Sequence, residues 1–87
     1  MPWYRLAFQA SAVQDLASID GATAQRLLEK TKWLASNIGN LRHEPITAEL
    51  PGLCKYAVSE WRILYAIDRE DQLVDIHAIL HRHALRV

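Results

Sequence analysis

Residues 50–87 read LPGLCKYAVSEWRILYAIDREDQLVDIHAILHRHALRV, and the alternation inside this stretch decides the fold. Three runs, LCKYAV, WRILYAID and QLVDIHAIL, are short, rich in β-branched and aromatic side chains, and separated by polar turns, as strands are. Side chains on a strand point alternately to opposite faces. One parity gathers Cys54, Tyr56, Val58, Trp61, Ile63, Tyr65, Ile67, Val74, Ile76, Ala78 and Leu80, an apolar set. The other gathers Lys55, Arg62, Asp75, His77 and His81, diluted by Leu64, Ala66 and Ile79. The sheet this predicts has one face for a core and one that carries cations and imidazoles. Opposed residues on paired strands lie about 4.5–5.5 Å apart, so a small polar site can form there without a cofactor.

The first half of the chain supplies the cover. Trp3 to Phe8 alternates, with Tyr4, Leu6 and Phe8 on one side, and reads as a first strand. Ser11 and Gln14 have the spacing of a capping box. They open a short helix to about Ile19 that is expected to bury Val13, Leu16 and Ala17. Asp20-Gly21 breaks it. Ala24, Leu27, Leu28, Thr31, Leu34, Ala35 and Ile38 then follow the period of an amphipathic helix. Gly39 is placed to stop that helix in the left-handed conformation. Arg26, Glu29, Lys30 and Lys32 form its charged outer side, and residues 40–52, with Pro45, Pro51 and Gly52, read as a connector. The order is therefore β-α-α-β-β-β. Strands joined by short turns run antiparallel, so two helices on one face of a mainly antiparallel sheet give a two-layer α+β domain covering residues 1–87.

Composition narrows the function. Ten basic residues balance ten acidic ones, whereas a general nucleic-acid binder carries a basic excess for phosphate contacts. The acids are concentrated, however: Asp68, Glu70 and Asp71 share one hairpin tip, while Lys55, Arg62, Arg82 and Arg86 face only Asp75 and Glu60. A local anion site is compatible with a neutral chain. No apolar run approaches the roughly 18 residues needed to cross a bilayer, and MPWYRLAF has no basic n-region of a signal peptide. With Cys54 as the one cysteine, an intramolecular disulfide is excluded, which fits the reducing cytoplasm. Its parity places it among core side chains. No ligand set for a metal and no Gly-rich phosphate loop is present, so neither metal nor cofactor is expected.

Three segments carry a family resemblance: Leu50-Pro51-Gly52-Leu53-Cys54-Lys55-Tyr56, Trp61-Arg62-Ile63-Leu64-Tyr65-Ala66-Ile67-Asp68, and Ile79-Leu80-His81-Arg82-His83. In this order and spacing the chain resembles toxins of the RelE/ParE superfamily, the toxic halves of bacterial type II toxin–antitoxin pairs. The resemblance implies a cognate antitoxin as partner. Its RelE-like branch implies an mRNA endoribonuclease that cuts in the A site of the ribosome and inhibits translation without a metal. Its ParE-like branch implies a DNA gyrase poison with no nuclease role, and a degenerate toxin would keep only antitoxin binding. No membrane partner is implied.

Carried over residue by residue, the resemblance makes Lys55, Arg62 and Arg82 the cationic site residues. Ala57 stands where some relatives have a second lysine, and Arg86 where a tyrosine is usual. Metal-free RNA cleavage uses the substrate's own 2′-hydroxyl against the adjacent phosphate. It requires a proton acceptor, a donor for the leaving 5′-oxygen, and cations on the phosphorane. Arginine binds two phosphate oxygens at once and stays charged, which suits Arg62 and Arg82. Lys55 serves as a point charge or a base. Histidine titrates near neutrality, so His81 and His83 are the acid/base candidates, with His77 and Arg86 as RNA contacts.

Overall fold

Strand β1 (Arg5–Phe8) leads directly into helices α1 (Ala10–Ala17) and α2 (Gly21–Ser36) in the computed structural model, which describes residues 3–47 and 52–84. A 3-10 turn (Ile38–Asn40) follows, then β2 (Glu44–Pro45), β3 (Cys54–Val58), β4 (Trp61–Asp68) and β5 (Leu73–His81). The five strands form one sheet in the order β1-β5-β4-β3-β2. Every neighbouring pair is antiparallel except β1 with β5, which is parallel. The helices pack on one face, so the fold is the expected α+β type with one short strand more than the sequence predicts. That strand, β2, lies inside the connector. It is two residues long and contains Pro45, too little for an alternation to register.

The stripe on α2 is buried as read. Leu27, Thr31 and Leu34 are fully buried, and Ala35 and Ile38 nearly so. They meet Cys54, Ile63, Tyr65, Val74, Ile76 and Ile79 from the sheet. Thr31 tolerates this position because its hydroxyl donates to the carbonyl of Leu28 at 2.6 Å, so no donor is left unpaired. Gly39 does not provide the predicted left-handed stop. The described glycines all have negative φ, and the helix instead ends through Asn37, whose side-chain amide donates to the carbonyl of Trp33 at 2.8 Å.

The start of α2 is capped by Asp20, whose carboxylate accepts the N–H of Thr23 at 3.1 Å. Hydrogen bonding from the Thr23 side chain, and then from its backbone N–H, holds the Asp20 carboxyl below its ordinary range. A carboxylate lowered in the folded state adds stability above its unfolded pKa and loses it as pH falls through the folded value. Asp20→Ala should therefore lower the urea midpoint at pH 7 and make a smaller difference near pH 3; an equal loss at both would remove the carboxylate from the cap.

Helix α1 departs from the expectation in an instructive way. Val13 is 54% exposed and Ala17 is exposed, while Ala12 is the fully buried residue. Ser11 is not a capping residue either; Gln9 holds the N-cap position without a side-chain cap bond. The cause is the short reach of β1, whose pairing with β5 ends at Phe8 opposite Ile76. Beyond it the edge of β5 needs partners, and α1 supplies them. The Ser11 hydroxyl donates to the carbonyl of His77 at 2.6 Å, and the Asp15 carboxylate accepts the N–H of Ile79 at 2.9 Å. Two polar side chains one turn apart thus replace a strand. Asp15→Ala would strand the Ile79 N–H, at a cost of about 1–3 kcal/mol visible in a urea melt. An unmoved midpoint would contradict this edge-closing role.

The largest correction concerns β5. Between Leu64 and Tyr65 of β4 the register with β5 shifts: Leu64 pairs with Ala78 and Tyr65 with Ile76. His77 is the extra residue of a β-bulge, and a bulge reverses the parity of the strand residues beyond it. Ile79, expected on the polar face, is buried in the core at 2% exposure. His81 pairs with Trp61 on the core-facing side, while Ala78 and Leu80 move to the open face with Leu64 and Arg62.

Candidate functional site

The sheet face turned away from the helices carries Lys55 and Ala57 from β3, Arg62, Leu64 and Ala66 from β4, and Asp75, His77, Ala78 and Leu80 from β5. Registers Lys55↔Leu64 and Ala57↔Arg62 make Lys55 and Arg62 diagonal neighbours on this face. Such neighbours sit about 7–8 Å apart, within reach of long side chains. Between them and β5 lies an apolar floor, of which Leu64 is 7% exposed. Two of the predicted cations are therefore brought together on an open surface.

Their present partners differ from those expected. The Lys55 ammonium is 4.0 Å from the Glu44 carboxylate, whose side chain is 71% exposed; the sequence reading places only Asp75 and Glu60 in its neighbourhood. An ion pair this exposed is worth about 0–1 kcal/mol, so a phosphate can displace it at little cost. The Arg62 guanidinium turns back on the β3–β4 hairpin, where Nη1 donates to the carbonyls of Ser59 (3.0 Å) and Trp61 (2.8 Å). These bonds satisfy a turn in which Ser59 adopts a positive φ of 55°. They employ one terminal nitrogen of a group with five N–H donors, leaving Nε and Nη2 to contact an anion.

Arg82 extends the ladder past β5, its backbone N–H donating to the Glu60 carbonyl at 2.7 Å. It directly follows His81, and its side chain is exposed. Arg86 lies outside the described residues, as do Leu50 and Pro51 of the first family segment.

The histidines separate into distinct settings. His81 stands on the helix side of the sheet, its Nε2 at 3.3 Å from the Glu60 carboxylate and its ring edge-on to Trp61 at 5.4 Å. His83 stacks on it at 5.0 Å, and the His83 backbone N–H donates to His81 Nδ1 at 3.3 Å. Both His81 nitrogens are thus engaged, on the opposite side from Lys55 and Arg62. His77 remains on the open face, 3.6 Å from the Asp75 carboxylate, as its sequence spacing suggests.

A fourth histidine escapes the sequence reading. His43 Nε2 lies 2.9 Å from the Ile38 carbonyl, and Nδ1 lies 2.7 Å from the Tyr65 hydroxyl. A carbonyl only accepts, so Nε2 carries the proton and Tyr65 donates to Nδ1. Tyr65 is 1% exposed, and burial pushes its phenol well above the ordinary range, keeping it a donor. The pair ties the start of the connector to the core. Burial likewise raises the Cys54 thiol, which disfavours the nucleophilic thiolate and agrees with a packing role. Among the described residues no group of three or more His, Cys, Asp or Glu is placed to hold a metal ion, and no helix is long and apolar enough to cross a membrane.

Similar solved structures include the RelBE2 toxin–antitoxin complex of Mycobacterium tuberculosis, at 26% identity over 94% of each chain with a TM-score of 0.83. A double mutant of the E. coli RelE toxin in the free state is 15% identical, covering 95% of this chain and 87% of that one, with a TM-score of 0.77. The chromosomal ParDE system of P. aeruginosa is 16% identical over 91% and 96%, with a TM-score of 0.72. The last two show the fold alone. No match was found among the curated proteins. The family described as ParE toxin of type II toxin–antitoxin system, parDE, matches residues 6–85. The chain belongs to this family and is a toxin of a type II toxin–antitoxin system.

Proposed function

We propose that this toxin inhibits translation as a ribosome-dependent, metal-free endoribonuclease, using the open face of its sheet on mRNA in the A site. The observation that carries this reading is the placement of Lys55 and Arg62 as neighbours on that face. Their common position suits one scissile phosphate: the guanidinium spans two oxygens, and the ammonium adds a point charge as negative charge builds. Arg82 and Arg86 supply further phosphate contacts from the end of the chain. His81 and His83, named as acid/base candidates for their titration near neutrality, are held beside Glu60 and Trp61 on the helix side of the sheet, away from Lys55 and Arg62. The 26% identity to the RelBE2 complex supports the same branch. The partner in the resting cell is a cognate antitoxin, as in the RelBE and ParDE complexes that share the fold, and the place of action is the cytoplasm.

A second reading, a gyrase poison that cleaves nothing, is favoured by the ParE description of the family that residues 6–85 match and by one feature of the site. Arg62 already spends a terminal nitrogen on the carbonyls of its own turn, as a structural arginine would. Brief induction of the toxin separates the two. Mapping RNA 5′ ends should reveal new termini within translated codons. Growth arrest with unaltered 5′ ends and accumulated gyrase–DNA complexes would replace the first reading with the second.

A further inference from the structure

We infer that His77, oriented by Asp75, is the proton acceptor of this open face; the inference rests on the endoribonuclease reading. Among the described residues His77 is the one imidazole on the same side of the sheet as Lys55 and Arg62. It is also the bulged residue of β5. Bulges re-aim side chains and are over-represented beside active sites. Here the bulge sets two successive β5 residues, His77 and Ala78, against the single residue Leu64 of β4.

Three polar groups set the surroundings of this histidine. Asp75 Oδ2 lies 3.6 Å from His77 Nε2, and the same oxygen accepts the side-chain amide of Gln9 at 2.9 Å. The Ser11 hydroxyl binds the His77 carbonyl at 2.6 Å. On the other side β4 presents only Leu64 and Ala66. At 3.6 Å the imidazole faces the carboxylate as an ion-pair contact, longer than a hydrogen bond, and the carboxylate is itself held by Gln9; a base backed by an anchored third group is the arrangement that activated nucleophiles use. With Nε2 toward Asp75, Nδ1 is the nitrogen left for a substrate proton.

The cross-strand row Lys55–Leu64–Ala78 sets the scale. Strands lie about 4.8 Å apart, so Lys55 and the bulge are separated by about 10 Å at Cα. One ribose and its 3′-phosphate span that interval over the Leu64 floor, with the phosphate toward Lys55 and Arg62 and the 2′-hydroxyl toward His77. His77 Nδ1 takes the 2′-hydroxyl proton as O2′ bonds to phosphorus. The P–O5′ bond breaks, and the 5′-oxygen leaves with a proton from water. The resulting hydroxide is neutralised by the imidazolium. The products are a 2′,3′-cyclic phosphate and a 5′-hydroxyl.

The test uses purified toxin on ribosomes programmed with mRNA, followed by single-turnover cleavage across pH. General base catalysis contributes about 10²–10⁴-fold, so His77→Ala should lose at least about a hundredfold. Its antitoxin affinity and urea midpoint should stay at wild-type values, since the Ser11 bond goes to backbone. Added imidazole should restore part of the rate, and the acidic limb of the pH profile should disappear. Asp75→Asn should shift that limb. If His77→Ala cleaves at the wild-type rate while Arg62→Ala does not, the nuclease reading stands and His77 is not its base. If wild-type toxin that arrests growth leaves the mRNA intact, the nuclease reading and this inference both fall. His77→Gln, a polar replacement of similar size, repeats the test should the alanine variant prove unstable.

Discussion

Leu27→Asp should leave the chain without a folded state at 25 °C. Leu27 is fully buried at the centre of the α2 stripe, against the core formed by Ile63, Tyr65, Val74 and Ile76. Truncating a leucine in such a site costs about 2–5 kcal/mol, and placing an unpaired carboxylate there costs several more. A chain of this size is stable by about 4–13 kcal/mol, so the substitution removes most or all of that margin. Far-UV circular dichroism and dispersion of amide resonances would register the loss. A folded and toxic Leu27→Asp variant would contradict the packing of α2 on the sheet.

The second large effect falls on activity. The double substitution Lys55→Ala with Arg62→Ala should abolish growth arrest and leave antitoxin binding intact. Each hydrogen bond from a cation to phosphate is worth about 1.5–3 kcal/mol, so losing both slows cleavage by about 10²–10⁴-fold. Stability should fall modestly, because Arg62 also satisfies the carbonyls of Ser59 and Trp61. That loss of about 1 kcal/mol corresponds to a melting temperature lower by about 4–8 °C. Growth curves at matched expression and a thermal melt separate the two effects. A double variant that remains lethal would remove these cations from the mechanism.

The pairing of Lys55 with Arg62 on one face is legible in the sequence because β3 and β4 alternate cleanly and a hairpin fixes their register. The α2 stripe is legible for the same reason at a helical period. The end of β5 is not. In the run Ile76-His77-Ala78-Ile79-Leu80-His81 both parities contain apolar residues, so a one-residue slip leaves no trace in the pattern. The bulge sends Ile79 into the core, and with it His81 changes sides. Helix α1 is misread because its sheet-facing residues include Ser11 and Asp15, whose partners on β5 are more than sixty positions away. Gln9 reaches Asp75 across a similar separation. Contacts of that range are set by the β1–β5 pairing and by where β1 ends. His43 is invisible for a similar reason: nothing near it in sequence announces Tyr65 as its partner.

The central claim is that toxicity resides on the open sheet face and not on the charged outer side of α2. Charge reversal on each surface addresses it directly. Lys55→Glu with Arg62→Glu tests the sheet, and Arg26→Glu with Lys32→Glu tests the helix, both scored by ribosome-dependent cleavage of a reporter mRNA. The sheet pair should eliminate cleavage and the helix pair should cut at close to the wild-type rate. Loss confined to the helix pair would contradict the account.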